Sequence, residues 1–180
     1  MATNRRLVAQ EGPDYYVTPA WGTRALITLE PIIGAILEPC CGSGEMAEIL
    51  KETGNEVIAC DLYDRGYGEV FDFFKQTLWR SNIITNPPFN LAEEMLDHAL
   101  KLSELKVCFL LRSAFIESRR RWEKFYRDRP PTRVYAFSER LSIYPASDQR
   151  ESGGTTSYAW FVWDQQAKGN TTELRWIAPR

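Results

Sequence analysis

Ala35-Ile36-Leu37-Glu38-Pro39-Cys40-Cys41-Gly42-Ser43-Gly44 runs from a short apolar strand into a glycine turn, and residues 45–53 behind it have helix-forming composition. Glycines let a chain turn sharply and approach a ligand closely, and the start of the following helix offers unpaired amides. Glu56-Val57-Ile58-Ala59-Cys60-Asp61 then predicts a second strand that ends in an acid about twenty residues beyond the glycines, where a carboxylate can accept from both hydroxyls of a ribose. Strand, glycine loop, helix, strand and acid in this order predict a site for an adenosine-containing cofactor. Gly42, Gly44 and Ala47 also fit the dinucleotide pattern GxGxxA, so the glycines alone leave that class open. Glu38, placed ahead of them, would repel a pyrophosphate.

Ile83-Ile84-Thr85-Asn86-Pro87-Pro88-Phe89 predicts another buried strand, closed by two prolines that can neither continue a ladder nor enter a helix interior. Asn86 and Phe89 are thereby presented at the carboxyl end of a strand, the end at which open α/β sheets bind ligands. The Asn86 side-chain carbonyl and the Pro87 carbonyl offer two acceptors, and Phe89 a flat face, which together suit a planar ring bearing an NH2 group. Leu91, Met95, Leu96, Ala99, Leu100 and Leu102 follow at helical spacing as a core-facing stripe. Residues 106–111 predict a strand, 118–129 a helix with Trp122, Phe125 and Tyr126 inward, and 133–137 and 157–163 the last paired strands, with 174–177 as an edge. This alternation predicts a three-layer α/β fold around a sheet of about seven strands.

The tetrad Asn86-Pro87-Pro88-Phe89 resembles the catalytic motif of S-adenosylmethionine (SAM) dependent amino-methyltransferases, and the resemblance to small phage and prophage adenine methyltransferases spans residues 14–163. It implies a Rossmann-like SAM-methyltransferase fold, mostly parallel, with a C-terminal antiparallel hairpin. SAM is the implied cofactor and N6 of adenine in DNA the implied methyl acceptor. A segment Asp-x-x-x-Thr-Pro, here Asp14 to Thr18-Pro19 and including Tyr16, would lie over the methionine end of SAM. Glu38 would sit near its amino group, with Cys40, Gly42 and Gly44 forming the loop and Asp61 with Leu62 at the ribose. Asp72 and Phe73, in an aromatic run, would meet the cofactor's adenine, and Asn86 would lie near the methyl. Thr18 as an ordinary helix cap, and Asp72 as a helix cap beside a core aromatic cluster, are the competing structural readings. An RNA adenine or a protein glutamine as acceptor, or SAM binding without turnover, stay open beside DNA.

With 180 residues, 44% hydrophobic and 13% aromatic, the chain has material for one substantial core. We take residues 1–13 as an N-terminal arm and 14–180 as a single domain without a separate target-recognition unit. No apolar run reaches membrane-spanning length and the first residues lack the apolar core of a signal peptide, so a cytoplasmic location without a membrane partner is expected. Cys40, Cys41, Cys60 and Cys108 with the lone His98 give no metal-ligand spacing, so no metal is expected and the cysteines are read as core residues. Pro39-Cys40 is superficially like the nucleophile of cytosine methyltransferases, but it lies inside the glycine loop.

The net charge of -2 conceals a basic stretch, Arg112 to Arg133, in which Arg119, Arg120 and Arg121 are expected to face water or a phosphate backbone. Residues 139–156 form a long connection carrying Arg140, Tyr144 and Arg150, read as a substrate-facing loop. A nucleic acid, DNA first, is the expected partner.

Overall fold

The computed structural model describes residues 16–145 and 155–180. Chain order gives β1 (Tyr16–Val17), α1 (Ala20–Leu29), β2 (Ile36–Glu38), α2 (Glu45–Lys51), β3 (Val57–Asp61), β4 (Glu69–Val70), β5 (Asn82–Thr85) and α3 (Ala92–Leu102). Then follow β6 (Lys106–Arg112), a helical turn Arg119–Arg121, a π turn Trp122–Tyr126, β7 (Arg133–Phe137), β8 (Tyr144–Pro145), β9 (Tyr158–Asp164) and β10 (Glu173–Ile177).

Eight strands form one sheet in the order β10-β7-β9-β6-β5-β2-β3-β4. All neighbours are parallel except β9, which runs antiparallel to both β6 and β7. The sheet thus has eight strands where about seven are predicted: the edge strand at 174–177 is found as β10, the short opposite edge β4 is the addition, and the antiparallel element at the C-terminal side is β9 inserted beside β7. A separate pair, β1 with β8, joins Tyr16 to Pro145 and Val17 to Tyr144.

The central strands β2, β5, β6 and β9 are buried on both faces, which is why they read as continuous apolar runs. Successive side chains point to opposite faces. Ile83, Val107, Phe109, Leu111, Ala159, Phe161 and Trp163 pack with α3, Phe115 and Phe125 on one side. Ile36, Ile84, Cys108, Leu110, Trp160 and Val162 pack with Leu26 of α1 and Met46 and Leu50 of α2 on the other. Trp160 also donates its indole N–H to the Gly22 carbonyl at 2.8 Å, fixing α1 against the sheet.

At the base of the sheet Glu30, 1% exposed, accepts from Arg133 (2.8 and 2.7 Å), Lys106 (2.6 Å) and the Tyr135 hydroxyl (2.7 Å). Burial works to raise the Glu30 pKa, but these three donors outweigh it and hold the carboxyl below its ordinary range. The cluster ties the end of α1 to β6 and β7.

One local expectation is corrected. Trp122 is 55% exposed while Phe125 is buried, because the backbone between them winds as a π turn, with Arg127 N–H reaching the Trp122 carbonyl at 3.0 Å. A wider turn breaks the 3.6-residue stripe on which the inward placement of Trp122 rests. Within the long connection 139–156, Leu141 and Ile143 are buried and β8 pairs with β1, which anchors this part to the body of the fold.

Candidate functional site

β2 leads to β3 on one side while β5 lies on its other side, so the strand order reverses between β2 and β5. A crevice opens at the carboxyl ends of such a pair. Here it is a cavity of about 990 Å³ of atom-free space including its mouth, lined by residues from β1 and from the ends of β2, β3 and β5.

Of the predicted positions, Tyr16, Thr18, Glu38, Cys40, Gly42, Asp61, Leu62, Asp72, Phe73, Asn86 and Pro88 line this one cavity, though they span 73 positions of sequence from 16 to 88. Pro19, Gly44, Pro87 and Phe89 do not line it. Gly44 instead shapes the loop: it has φ +96° and precedes α2, and a Cβ there would come within 2.4 Å of the Tyr67 ring. Only glycine meets both conditions without strain.

Glu38 is 1% exposed and its Oε2 has no hydrogen-bond partner. Burial first, then the carboxylates of Glu45 and Asp61, push its pKa well above the ordinary range. A buried acceptor without a partner is costly, so its natural complement is a ligand that donates hydrogen bonds. Asp61 accepts from Gly42 N–H at 3.0 Å and from Tyr63 N–H at 3.0 Å, one on each oxygen. Each carboxylate oxygen has a second lone pair, which leaves capacity for two hydroxyls.

Asn86 donates its side-chain N–H to the Thr18 hydroxyl at 3.1 Å, and its Oδ1 is buried without a partner. Thr18 is therefore not the cap of α1, whose first turn is closed by Gly22 N–H on the Pro19 carbonyl at 2.9 Å. Its hydroxyl holds the Asn86 amide. Asp72 fulfils the structural reading, since it accepts from Phe74 N–H at 3.0 Å as a turn cap, and it lines the cavity as well. His98 contacts the Phe73 carbonyl at 3.1 Å and the Phe73 ring at a 5.0 Å centroid separation, holding this aromatic wall in place.

Phe89 faces a second, neighbouring groove with Asn90, Arg112, Phe115, Arg120 and Arg121. Its ring lies between Tyr16 and Tyr158, at centroid distances of 5.5 and 5.7 Å, with the Arg112 guanidinium 4.5 Å from its centroid.

The expectation that the arginine run faces water or phosphate holds least for Arg121, which donates to Glu93 (3.2 Å) and to the carbonyls of Phe115 (3.3 Å) and Glu117 (2.6 Å). Arg120 pairs with Glu93 at 3.0 Å and Glu94 at 3.5 Å, and Arg119 with Glu123 at 2.9 Å. Glu93 and Glu94 begin α3, so the acids that temper this face come from a distant part of the sequence. Arg140 is exposed; Arg150 and the Tyr144 side chain lie outside the described residues.

The sequence reading misses Glu45, Tyr63, Arg65, Asn90 and Met95 as lining residues. For Tyr63 and Arg65 a signal exists: they directly follow the acid that ends β3, in a loop at the ligand-binding end of the sheet. Met95 is absorbed into the helix stripe, and nothing in its spacing marks it. Burial pushes the Cys41 thiol up to about 12 and Cys60 to about 11, and Cys40 and Cys108 rise as well, which disfavours their thiolates. Among the described residues no group of three or more His, Cys, Asp and Glu side chains could hold a metal, and no helix is long and apolar enough to cross a membrane.

In overall structure the chain is similar to a candidate RNA methyltransferase from Pyrococcus horikoshii, with TM-score 0.63 and 19% identity over 91% of this chain and 98% of that one. It is also similar to a SAM-dependent O-methyltransferase from Thermotoga maritima, with TM-score 0.55 and 11% identity over 88% and 70% of the two chains. Magnesium protoporphyrin IX methyltransferase from Synechocystis PCC 6803, with bound SAM, gives TM-score 0.53 and 13% identity over 92% of each. The fold is thus the Rossmann-like fold of SAM-dependent methyltransferases. No protein-family model matches the chain, and no curated protein does.

Proposed function

We propose that this protein is a SAM-dependent methyltransferase that methylates the exocyclic N6 of adenine in DNA. The observation that carries the reading is the buried, unpartnered Oδ1 of Asn86, oriented by Thr18 and set in one cavity with Glu38 and Asp61. Glu38 suits the ammonium of an amino-acid moiety, Asp61 a ribose, and the wall of Asp72 and Phe73 an adenine. SAM contains all three, and when bound it supplies an electrophilic methyl on a sulfonium. A pyrophosphate fits poorly beside Glu38 and its neighbouring acids.

An exocyclic amine is a weak nucleophile because its lone pair is delocalised into the ring. Acceptors at Asn86 and at the Pro87 carbonyl would draw on its two N–H bonds and favour a pyramidal nitrogen with a localised lone pair. Such bonds strengthen toward the transition state, so they act on turnover more than on binding. A base in a duplex cannot reach the site, so the target is flipped or single stranded. Around Phe89 stand arginines and rings, which suit phosphates and base faces better than base edges, and we take the sequence preference to be low.

RNA adenine is the second reading, favoured by the similarity to the candidate RNA methyltransferase. One experiment tests both. The protein is incubated with labelled SAM and, separately, DNA, RNA and a protein mixture, followed by digestion and identification of the methylated product. N6-methyladenine in DNA is expected; label confined to RNA or to glutamine moves the acceptor, and no label in any pool refutes the enzyme reading.

A further inference from the structure

We propose that the open edge of β10 is the surface through which two copies of this chain associate, strand against strand and antiparallel, about a two-fold axis at Leu174. β10 ends the sheet. Glu173 N–H donates to the Thr132 carbonyl at 2.9 Å and Ser138 N–H to the Ile177 carbonyl at 3.0 Å, so residues 173 and 177, and 175 between them, direct their main-chain groups at β7. Alternation along a strand then aims the N–H and C=O groups of Leu174 and Trp176 outward. No described strand pairs with them.

The side chains fit the same conclusion. Leu174 is 48% and Trp176 65% exposed, two large apolar groups on one face of an unpaired edge. Edges that stay unpaired are commonly blunted by charges of one kind, a proline or a bulge. β10 carries one acid and one base, Glu173 and Arg175, joined at 2.7 Å on its other face, so it does not repel a copy of itself.

Three antiparallel registers, centred on Leu174, Arg175 or Trp176, bring outward main-chain groups opposite one another, and the last sets Arg175 opposite Ile177 with no charge pair. Centring on Arg175 would place two arginines face to face, which is destabilising. With the axis at Leu174, Glu173 stands opposite Arg175 of the second copy, twice, and Leu174 stands opposite Leu174. Charge complementarity selects the register centred on Leu174 and a second copy as the occupant.

The test is cysteine crosslinking combined with charge exchange. Across a hydrogen-bonded antiparallel pair the Cα atoms stand about 5.5 Å apart, within the range of about 4.4–6.8 Å that a disulfide spans. Leu174→Cys is expected to form a covalent dimer under mild oxidation, while Arg175→Cys stays monomeric on a non-reducing gel. By light scattering over a concentration series, Glu173→Arg and Arg175→Glu each weaken association severalfold, and the double exchange restores it, which also shows that the exchanged strand folds. A protein monomeric throughout the series, crosslinking through Arg175→Cys instead, or single exchanges that leave the dimer unchanged would each overturn the proposal. So would capture of a different protein's strand with no self-association.

Discussion

The Arg112 guanidinium lies 4.5 Å from the centroid of the Phe89 ring, so the aromatic residue of the Asn-Pro-Pro-Phe turn already carries a planar cation. A cation over a ring at an accessible site contributes about 0.5–1 kcal/mol. A nucleobase stacked on an aromatic side chain contributes about 1–3 kcal/mol, so a target base displaces Arg112. Phe89→Ala is therefore expected to weaken oligonucleotide binding by about 1–3 kcal/mol, and Arg112→Ala by less. Fluorescence anisotropy titrations of the two variants decide it, and equal losses would remove stacking from the account of Phe89.

Thr18 holds the Asn86 amide at 3.1 Å. Thr18→Val should lower methyl transfer by about tenfold to a hundredfold through misplacement of the acceptor, with SAM affinity little changed and Thr18→Ser restoring the rate. Asn86→Ala should abolish turnover and leave SAM binding nearly intact. Single-turnover kinetics beside calorimetry would separate the two quantities, and an undiminished rate in Asn86→Ala sinks the assignment.

Glu38 has its pKa raised by burial and by the nearby acids Glu45 and Asp61, so it retains its proton above the usual carboxyl range. An ammonium ligand beside it favours the anion, and binding must then release a proton. SAM affinity is expected to increase with pH through this raised titration, and Glu38→Gln should flatten the dependence. Calorimetry in buffers of different ionisation heats measures the released proton directly.

Glu30 titrates in the opposite sense. Its folded pKa lies below the unfolded value of 4.5, so its contribution to stability is present above that value and is lost as pH falls through the lowered one. Glu30→Gln should remove this acid-sensitive step and cost about 1–3 kcal/mol at neutral pH, since Arg133 keeps Asp164 at 3.1 Å and Lys106 keeps the Pro31 carbonyl at 2.6 Å. Urea unfolding at a series of pH values tests both parts.

Arg119 and Arg121 should separate by role. Arg121→Ala removes bonds to two main-chain carbonyls and to Glu93, and is expected to destabilise by about 1–3 kcal/mol. Arg119, with its side chain 91% exposed, should be neutral for melting and weaken nucleic-acid binding similarly on every sequence. Thermal melts and binding at several salt concentrations distinguish them.

What is legible in the sequence is what depends on local pattern. Glu38, Gly42 and Asp61 announce a ligand crevice because strand, turn and acid follow one another closely, and Asn86 does so because two prolines fix where it points. Contacts between distant segments are not legible in this way. Thr18 looks like a helix cap until Asn86 is placed beside it, and the run Arg119 to Arg121 looks free until α3 brings Glu93 and Glu94 against it. The outward turn of Trp122 depends on a change of helical winding that no spacing rule anticipates.

β9 pairs along its length with β6 on one side and with β7 on the other, yet residues 158–164 follow both neighbours in the chain. During synthesis β6 therefore waits with an unpaired edge, and β7 has no partner until β9 emerges, since its other neighbour β10 comes later still. The half of the sheet from β2 to β6 can assemble first, but its most apolar edge stays open to solvent and to other nascent chains. Pairings between distant segments form slowly and leave such edges prone to aggregation. That edge is closed only when β9 slots between β6 and β7, so one late strand completes what the earlier half of the sheet leaves open.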